Sequence, residues 1–265
     1  MRVRRAFANG DYGQLHYRHA GEPGQGLTPL ICLHMSPSSG RIFAPLLADM
    51  GEDRFALAPD TPGFGESDAP PAPIEISDFA VANFRLLESL GVDGPIDVLG
   101  YHTGSLTAAE MARQRPSQVR KLVLVSAPIF TPAELAEFRA EYAEKPLRED
   151  GAQLLELWQA IRRWADPEQS LALTMEHVAE SLRGGETAWW GHRAAFNYDL
   201  GKLLPDLPQP ILVLNPEDDL HQQSLRANGL MQRGRIHELP GWSHGFIEVR
   251  GPQTAAILRD FLDAD

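Results

Sequence analysis

Short apolar runs alternate with stretches of helical periodicity along most of this chain. The runs at 29–33, 54–58, 96–100, 119–126, 211–215 and 235–239 are mostly brief and hydrophobic, as strands buried on both faces are. Two earlier segments, 3–8 and 14–20, alternate polar and apolar positions and flank the turn Gly10-Asp-Tyr-Gly13, which predicts an antiparallel hairpin at a sheet edge. Helical patterns lie between the strands at about 41–50, 77–90, 103–115, 221–232 and 252–263. This alternation predicts an α/β protein: a mainly parallel eight-stranded sheet with helices on both faces.

The rhythm stops between 128 and 205, which shows no strand pattern and is rich in Ala, Glu, Leu, Arg and Trp, with breaks at Pro146, Pro167 and Gly184-Gly185. It reads as a helical lid inserted after the sixth strand, splitting the core into 1–127 and 206–265. Such a lid would close over the C-terminal edge of the sheet, where open α/β sheets bind ligands. The stretch Asp68-Ala-Pro-Pro-Ala-Pro73 is a short stiff connection within the core.

Composition narrows the function classes. A length of 265 residues, 43% hydrophobic and 23% charged, suits one large α/β domain with an insertion. A net charge of −12 without a basic stripe argues against a nucleic-acid partner and against anionic membranes, and no run is long enough to span a bilayer. The single cysteine, Cys32, excludes an internal disulfide and sits in the apolar run Leu30-Ile-Cys-Leu33, which predicts a buried structural thiol and a cytoplasmic location. The basic start Met1-Arg-Val-Arg-Arg5 is not followed by an apolar stretch, so no signal peptide is expected. A small-molecule substrate is the expected partner, and homo-oligomerisation stays open.

Candidate chemistry centres on Pro95-Ile-Asp-Val-Leu-Gly-Tyr-His-Thr-Gly-Ser-Leu-Thr-Ala-Ala-Glu110, an apolar run, a Gly-x-His-x-Gly pentapeptide and a helical pattern rich in small residues. That is the strand–turn–helix context of a nucleophile elbow, with His102 where a serine, cysteine or aspartate would be expected. Gly100 and Gly104 permit the close strand–helix approach. Three further segments stand in matching order: His34-Met-Ser-Pro37, Asp60-Thr-Pro-Gly-Phe-Gly-Glu-Ser-Asp68, and the pair Asn215-Pro-Glu-Asp-Asp219 and Gly241-Trp-Ser-His-Gly245. Together they resemble the α/β-hydrolase superfamily, in particular the lidded branch holding epoxide hydrolases, haloalkane dehalogenases and carbon–carbon bond hydrolases.

The resemblance implies roles. His244 would act as general base and acid, and Asp219 would fix its tautomer, with Asp218 and Glu217 as competitors whose alternative is a water-exposed charged loop. The backbone N–H groups of Ser36 and Thr103 would form the oxyanion hole. Met35 departs from the family's glycine, so a left-handed backbone there would be strained, and Ser36-Pro37 is a candidate cis turn. His102 and His244 are expected to face each other. Water activated by His244–Asp219 would then attack directly, or the His102 imidazole would itself be the nucleophile. A displaced serine (Ser36, Ser105 or Ser126) is a third option. Metal ligation by His102, His244 and Asp219 with His34 or His221 is a fourth, but the resemblance implies neither metal nor other cofactor.

His34, Tyr101, Trp189 and Trp190 are candidate substrate contacts. Trp158, Trp164, Phe130, Phe138, Phe196 and Tyr198 would complete an aromatic ceiling, and Arg162, Arg163 or Arg193 could receive a carboxylate. The leading reading is a cofactor-independent enzyme hydrolysing a small, partly apolar ester or carbonyl compound. Two others stay open: a lyase or cofactorless oxygenase on the same site, and a catalytically silent small-molecule-binding protein.

Overall fold

The computed structural model describes residues 1–264. Eight strands, β1 (Arg4–Gly10), β2 (Gly13–Ala20), β3 (Leu27–Leu33), β4 (Arg54–Pro59), β5 (Ile96–Tyr101), β6 (Val119–Val125), β7 (Ile211–Pro216) and β8 (Gly234–Leu239), form one sheet in the order β1-β2-β4-β3-β5-β6-β7-β8. Strand β2 runs antiparallel to both its neighbours, β1 and β4, and every pairing from β4 to β8 is parallel. The edge hairpin closes at Gly10 and Gly13, so β1 runs past the 3–8 pattern to the turn.

Helices α1 (Ala44–Met50), α2 (Ile76–Ser89) and α3 (Thr103–Gln114) connect the early strands. Alternate residues of the buried strands feed two cores. Ile31, Leu57 and Val98 pack with Phe79, Phe84 and Leu106 of α2 and α3 on one face. Leu30, Cys32 and Leu99 pack on the other, with Leu46 and Leu47 of α1 and with residues near the C-terminus. Cys32 is fully buried, and burial pushes its thiol well above the ordinary range, which leaves it inert.

Five helices and no strand lie between β6 and β7: α4 (Pro132–Glu141), α5 (Ala152–Arg163), α6 (Leu171–Arg183), α7 (Trp190–Phe196) and α8 (Leu200–Leu203). The expected helix at 221–232 is much shorter. It forms only α9 (His221–Ser224) and one 3-10 turn, because Gly229 at φ 79° turns the chain away. Helices α10 (Phe246–Val249) and α11 (Gly251–Leu262) end the fold. Among the described residues no helix is long and apolar enough to cross a membrane.

Candidate active site

The elbow is built by close approach. A Cβ on Gly100 would stand 2.1 Å from the Gly104 carbonyl oxygen, and one on Gly104 2.0 Å from that of Leu33, so both positions require glycine. The chain reverses between β5 and α3 through His102, at φ 50° and ψ −110°. Its N–H donates to the Val125 carbonyl at 3.0 Å. Ser126, at the end of β6, is the other non-glycine residue with positive φ among the described residues, at 55°.

Four side chains converge above the C-terminal ends of β5, β7 and β8. The His102 Nε2 lies 3.0 Å from Asp218 Oδ2 and 3.9 Å from Asp219 Oδ1. The His244 Nε2 lies 2.7 Å from Asp219 Oδ1, and its Nδ1 lies 3.1 Å from the Tyr101 hydroxyl. The two imidazoles face each other with ring centroids 4.9 Å apart. Asp218 is 3% exposed and also accepts from the Ser126 hydroxyl and the Leu220 N–H. It is therefore a buried partner of the elbow histidine and not a solvated loop charge. Glu217 remains in the loop, its N–H donating to the Trp242 carbonyl.

The two histidines differ in what they leave free. Both His244 nitrogens are occupied, whereas His102 Nδ1 has no protein partner among the described residues. Burial opposes ionisation of Asp218 and Asp219, but the charge and hydrogen bonds of the imidazoles outweigh it and hold both carboxyls below the usual range. Burial likewise opposes protonation of His244, yet Asp219 raises it above the ordinary histidine value. Burial, reinforced by Asp218 and Asp219, keeps the Tyr101 phenol protonated, so its hydroxyl can donate to His244 Nδ1.

His102, Asp218, Asp219 and His244 each offer a ligand atom within 4.8 Å of the others, so this group could hold a divalent cation. The other ligands considered from sequence are elsewhere. His34 is buried, donating from Nδ1 to the Met35 carbonyl and accepting the Thr61 N–H at Nε2. His221 pairs with Glu238.

Both backbone donors expected to form the oxyanion hole are left unpaired: neither the Ser36 N–H nor the Thr103 N–H donates to a protein group among the described residues. The Ser36–Pro37 peptide is cis, and Met35 is not left-handed, so the side chain there brings no backbone strain. Of the displaced serines, Ser105 donates to the Gly100 and Val125 carbonyls at 2.9 Å and Ser126 is committed to Asp218. Only Ser36 lines the cavity.

That cavity has two lobes, of about 40 Å³ and about 210 Å³, which share Ser36, His102, Tyr142, His192 and Asp219. Phe130, Phe138 and Phe196 line the small lobe, and Leu157, Ile161 and Trp164 the large one. Four expected contacts fall outside the lining. His34 is spent on backbone groups, and Tyr101, 1% exposed, lies behind the histidines. Trp190 stands two positions from His192, on the opposite side of α7, and Trp189 precedes the helix. Trp158 is also absent from both lobes, and Tyr198 turns its hydroxyl to Glu110. Arg163 lines the large lobe, while Arg162 bonds Gln169 and Thr174, and Arg193 pairs with Glu75.

Asp218 was weighed from sequence only as an alternative acid for His244, and Tyr142 and His192 were not singled out. The signal for His192 was its spacing of four from Phe196, which places both on one face of α7.

Comparison with known proteins agrees with this architecture. A family model described as alpha/beta hydrolase fold matches residues 28–220. A poly(3-hydroxyalkanoate) depolymerase of Ectopseudomonas oleovorans is 25% identical over 94% of this chain and 89% of its own. A 2-(acetamidomethylene)succinate hydrolase of Mesorhizobium japonicum is 24% identical over 91% and 90%. The solved structure of a thermophilic esterase from Thermogutta terrifontis superposes with a TM-score of 0.78 at 19% identity, covering 98% of both chains, a likeness that shows the fold.

Proposed function

The chain belongs to the α/β-hydrolase fold family and is an enzyme of that fold with a non-standard elbow, and from that premise we propose direct hydrolysis by an activated water. The substrate is a small, partly apolar ester or related carbonyl compound. The observation that carries this reading is the asymmetry of the two imidazoles: His102 has one nitrogen on buried Asp218 and the other free, while both His244 nitrogens are engaged. His102 therefore takes the role of base that the family resemblance gave to His244.

In this mechanism Asp218 accepts from His102 Nε2–H and leaves the Nδ1 lone pair available. Water attacks the carbonyl carbon as its proton passes to Nδ1. The C=O electron pair moves to oxygen, facing the N–H groups of Ser36 and Thr103. Collapse breaks the bond to the leaving oxygen, which takes the proton back from the His102 imidazolium. The Asp219 carboxylate beside His102 stabilises that cation, and His244, itself held by Tyr101, keeps Asp219 in place. Residues 128–205 act as the lid that walls off the cavity. Its apolar lining supports a partly apolar substrate. The relatives named as depolymerase and hydrolase support a hydrolytic reaction.

A panel of p-nitrophenyl esters tests the reaction. Turnover is expected, with no acyl-enzyme burst and no labelling by fluorophosphonates. Asp218→Asn is expected to cut kcat by on the order of 10³–10⁴, as wrong-tautomer variants do. Absence of turnover on every ester would overturn hydrolysis. An acyl group mapped to His102 by rapid-quench mass spectrometry would make the imidazole the nucleophile.

A further inference from the structure

Two imidazoles of the helical segment line the cavity, and while His177 is paired with Glu248, no protein group hydrogen-bonds to either nitrogen of His192 among the described residues. Its ring is fixed nonetheless. The Tyr142 ring lies against it at 4.3 Å between centroids, and Phe196, one turn along α7, stacks at 6.0 Å. The preceding Gly191 seats α7 directly on the oxyanion loop, since a Cβ there would stand 2.1 Å from the Ser36 hydroxyl oxygen. A ring packed against two aromatic neighbours, with its nitrogens left without a protein partner among the described residues, is built to meet something in the cavity.

An ester presents two oxygens. The carbonyl oxygen is served by two donors, Ser36 and Thr103, whereas the leaving oxygen receives only the proton that His102 returns. We infer that His192 is a substrate-binding residue whose ring N–H donates a hydrogen bond to the leaving oxygen of the ester, strengthening as that oxygen gains negative charge. This deepens the proposed hydrolysis and rests on it for the reaction, though not for binding. Burial, with the nearby His102 contributing, lowers the His192 pKa to about 4, so at neutral pH the ring carries no charge and suits an uncharged ester oxygen. It moves no proton: the leaving oxygen is protonated by His102, and His192 only stabilises charge on the way.

The test compares esters of one acid with different leaving groups. Ethyl butyrate expels a poor leaving group and p-nitrophenyl butyrate a good one, so the hydrogen bond matters more for the first. His192→Phe keeps the ring stack and removes the donor. It is expected to lower kcat/KM on the order of tenfold to a hundredfold for ethyl butyrate and only a few-fold for p-nitrophenyl butyrate, with His192→Gln recovering much of the loss. Equal losses on both esters, or none, would overturn the inference, because a packing role does not discriminate leaving groups. Should neither ester be turned over, the hydrolysis reading falls, and ethyl butyrate becomes a simple ligand. The ring ¹⁵N resonances of His192 should then shift on titration with it, and unmoved resonances would overturn the inference as well.

Discussion

A histidine at φ 50° and ψ −110° occupies backbone space that costs a non-glycine residue about 1–3 kcal/mol, so the turn at His102 persists because its surroundings hold it. The elbow itself was legible from Gly100 and Gly104. The partner of its side chain was not, because neighbouring residues at the end of a strand point in different directions and spacing alone cannot say which carboxylate meets which imidazole. The expected Asp219 reaches His244, while Asp218, one position earlier, reaches His102. This pairing sets the outcome of restoring a serine. In His102→Ser the new hydroxyl would sit beside a histidine whose nitrogens are both engaged by Asp219 and Tyr101, so fluorophosphonate labelling should stay at background. Adding Tyr101→Phe frees His244 Nδ1, and the double variant should label. Equal labelling of the single and double variants would show that the Tyr101 hydrogen bond does not restrain His244.

At the scale of elements, the helical segment is tied to the loop that carries His244. The His244 N–H donates to the Trp164 carbonyl at 2.9 Å, and the Asp166 N–H donates back to the His244 carbonyl at 2.7 Å. Asp166, fully buried, accepts the Ser243 N–H and a two-pronged bond from Arg250 at 3.0 and 3.1 Å. No periodicity announces such a tether, since a β-bridge of one residue has no repeat to read. The segment itself was legible, because five helices without a strand leave a long break in the β/α alternation. Removing the carboxylate in Asp166→Ala leaves Arg250 with only its Glu168 ion pair and strands the buried Ser243 N–H, at a cost of about 2–3 kcal/mol. Thermal melts should show that loss, and kcat should fall further than in a surface variant of equal stability, because the His244 loop is loosened. A variant with unchanged kcat would mean that α10 alone positions His244.

Across the whole molecule, buried titratable groups couple the fold to pH, and the signs can be assigned group by group. Burial lowers the pKa of both His34 and His192 from the ordinary 6.5, the latter to about 4. The unfolded chain therefore binds protons first, and the stability these rings contribute drains away as pH falls from about 6.5 towards 4. His244, raised by Asp219, has the opposite sign: its contribution is full below 6.5 and is lost as pH climbs through its folded value. Its gain on acidification is complete by about pH 6.5, so it does not offset the first decline. A second, steeper decline belongs to the carboxylates. Asp60 is buried, which opposes ionisation, yet the His16 hydrogen bond and the N–H groups of Gly40 and Glu66 hold it below its ordinary 3.8, as imidazoles do for Asp218 and Asp219. Their stabilisation is complete above about pH 4 and disappears as pH drops through the folded values. Melting temperature should thus fall in two stages on acidification. His192→Phe should flatten the stage between about 6.5 and 4. Asp60→Asn, which removes an ionised acceptor of several buried bonds, should cost about 2–3 kcal/mol at pH 7 and converge on the wild type as pH falls below the ordinary 3.8 of an aspartate. Parallel curves for Asp60→Asn and wild type through that range would show that Asp60 is not ionised in the folded protein.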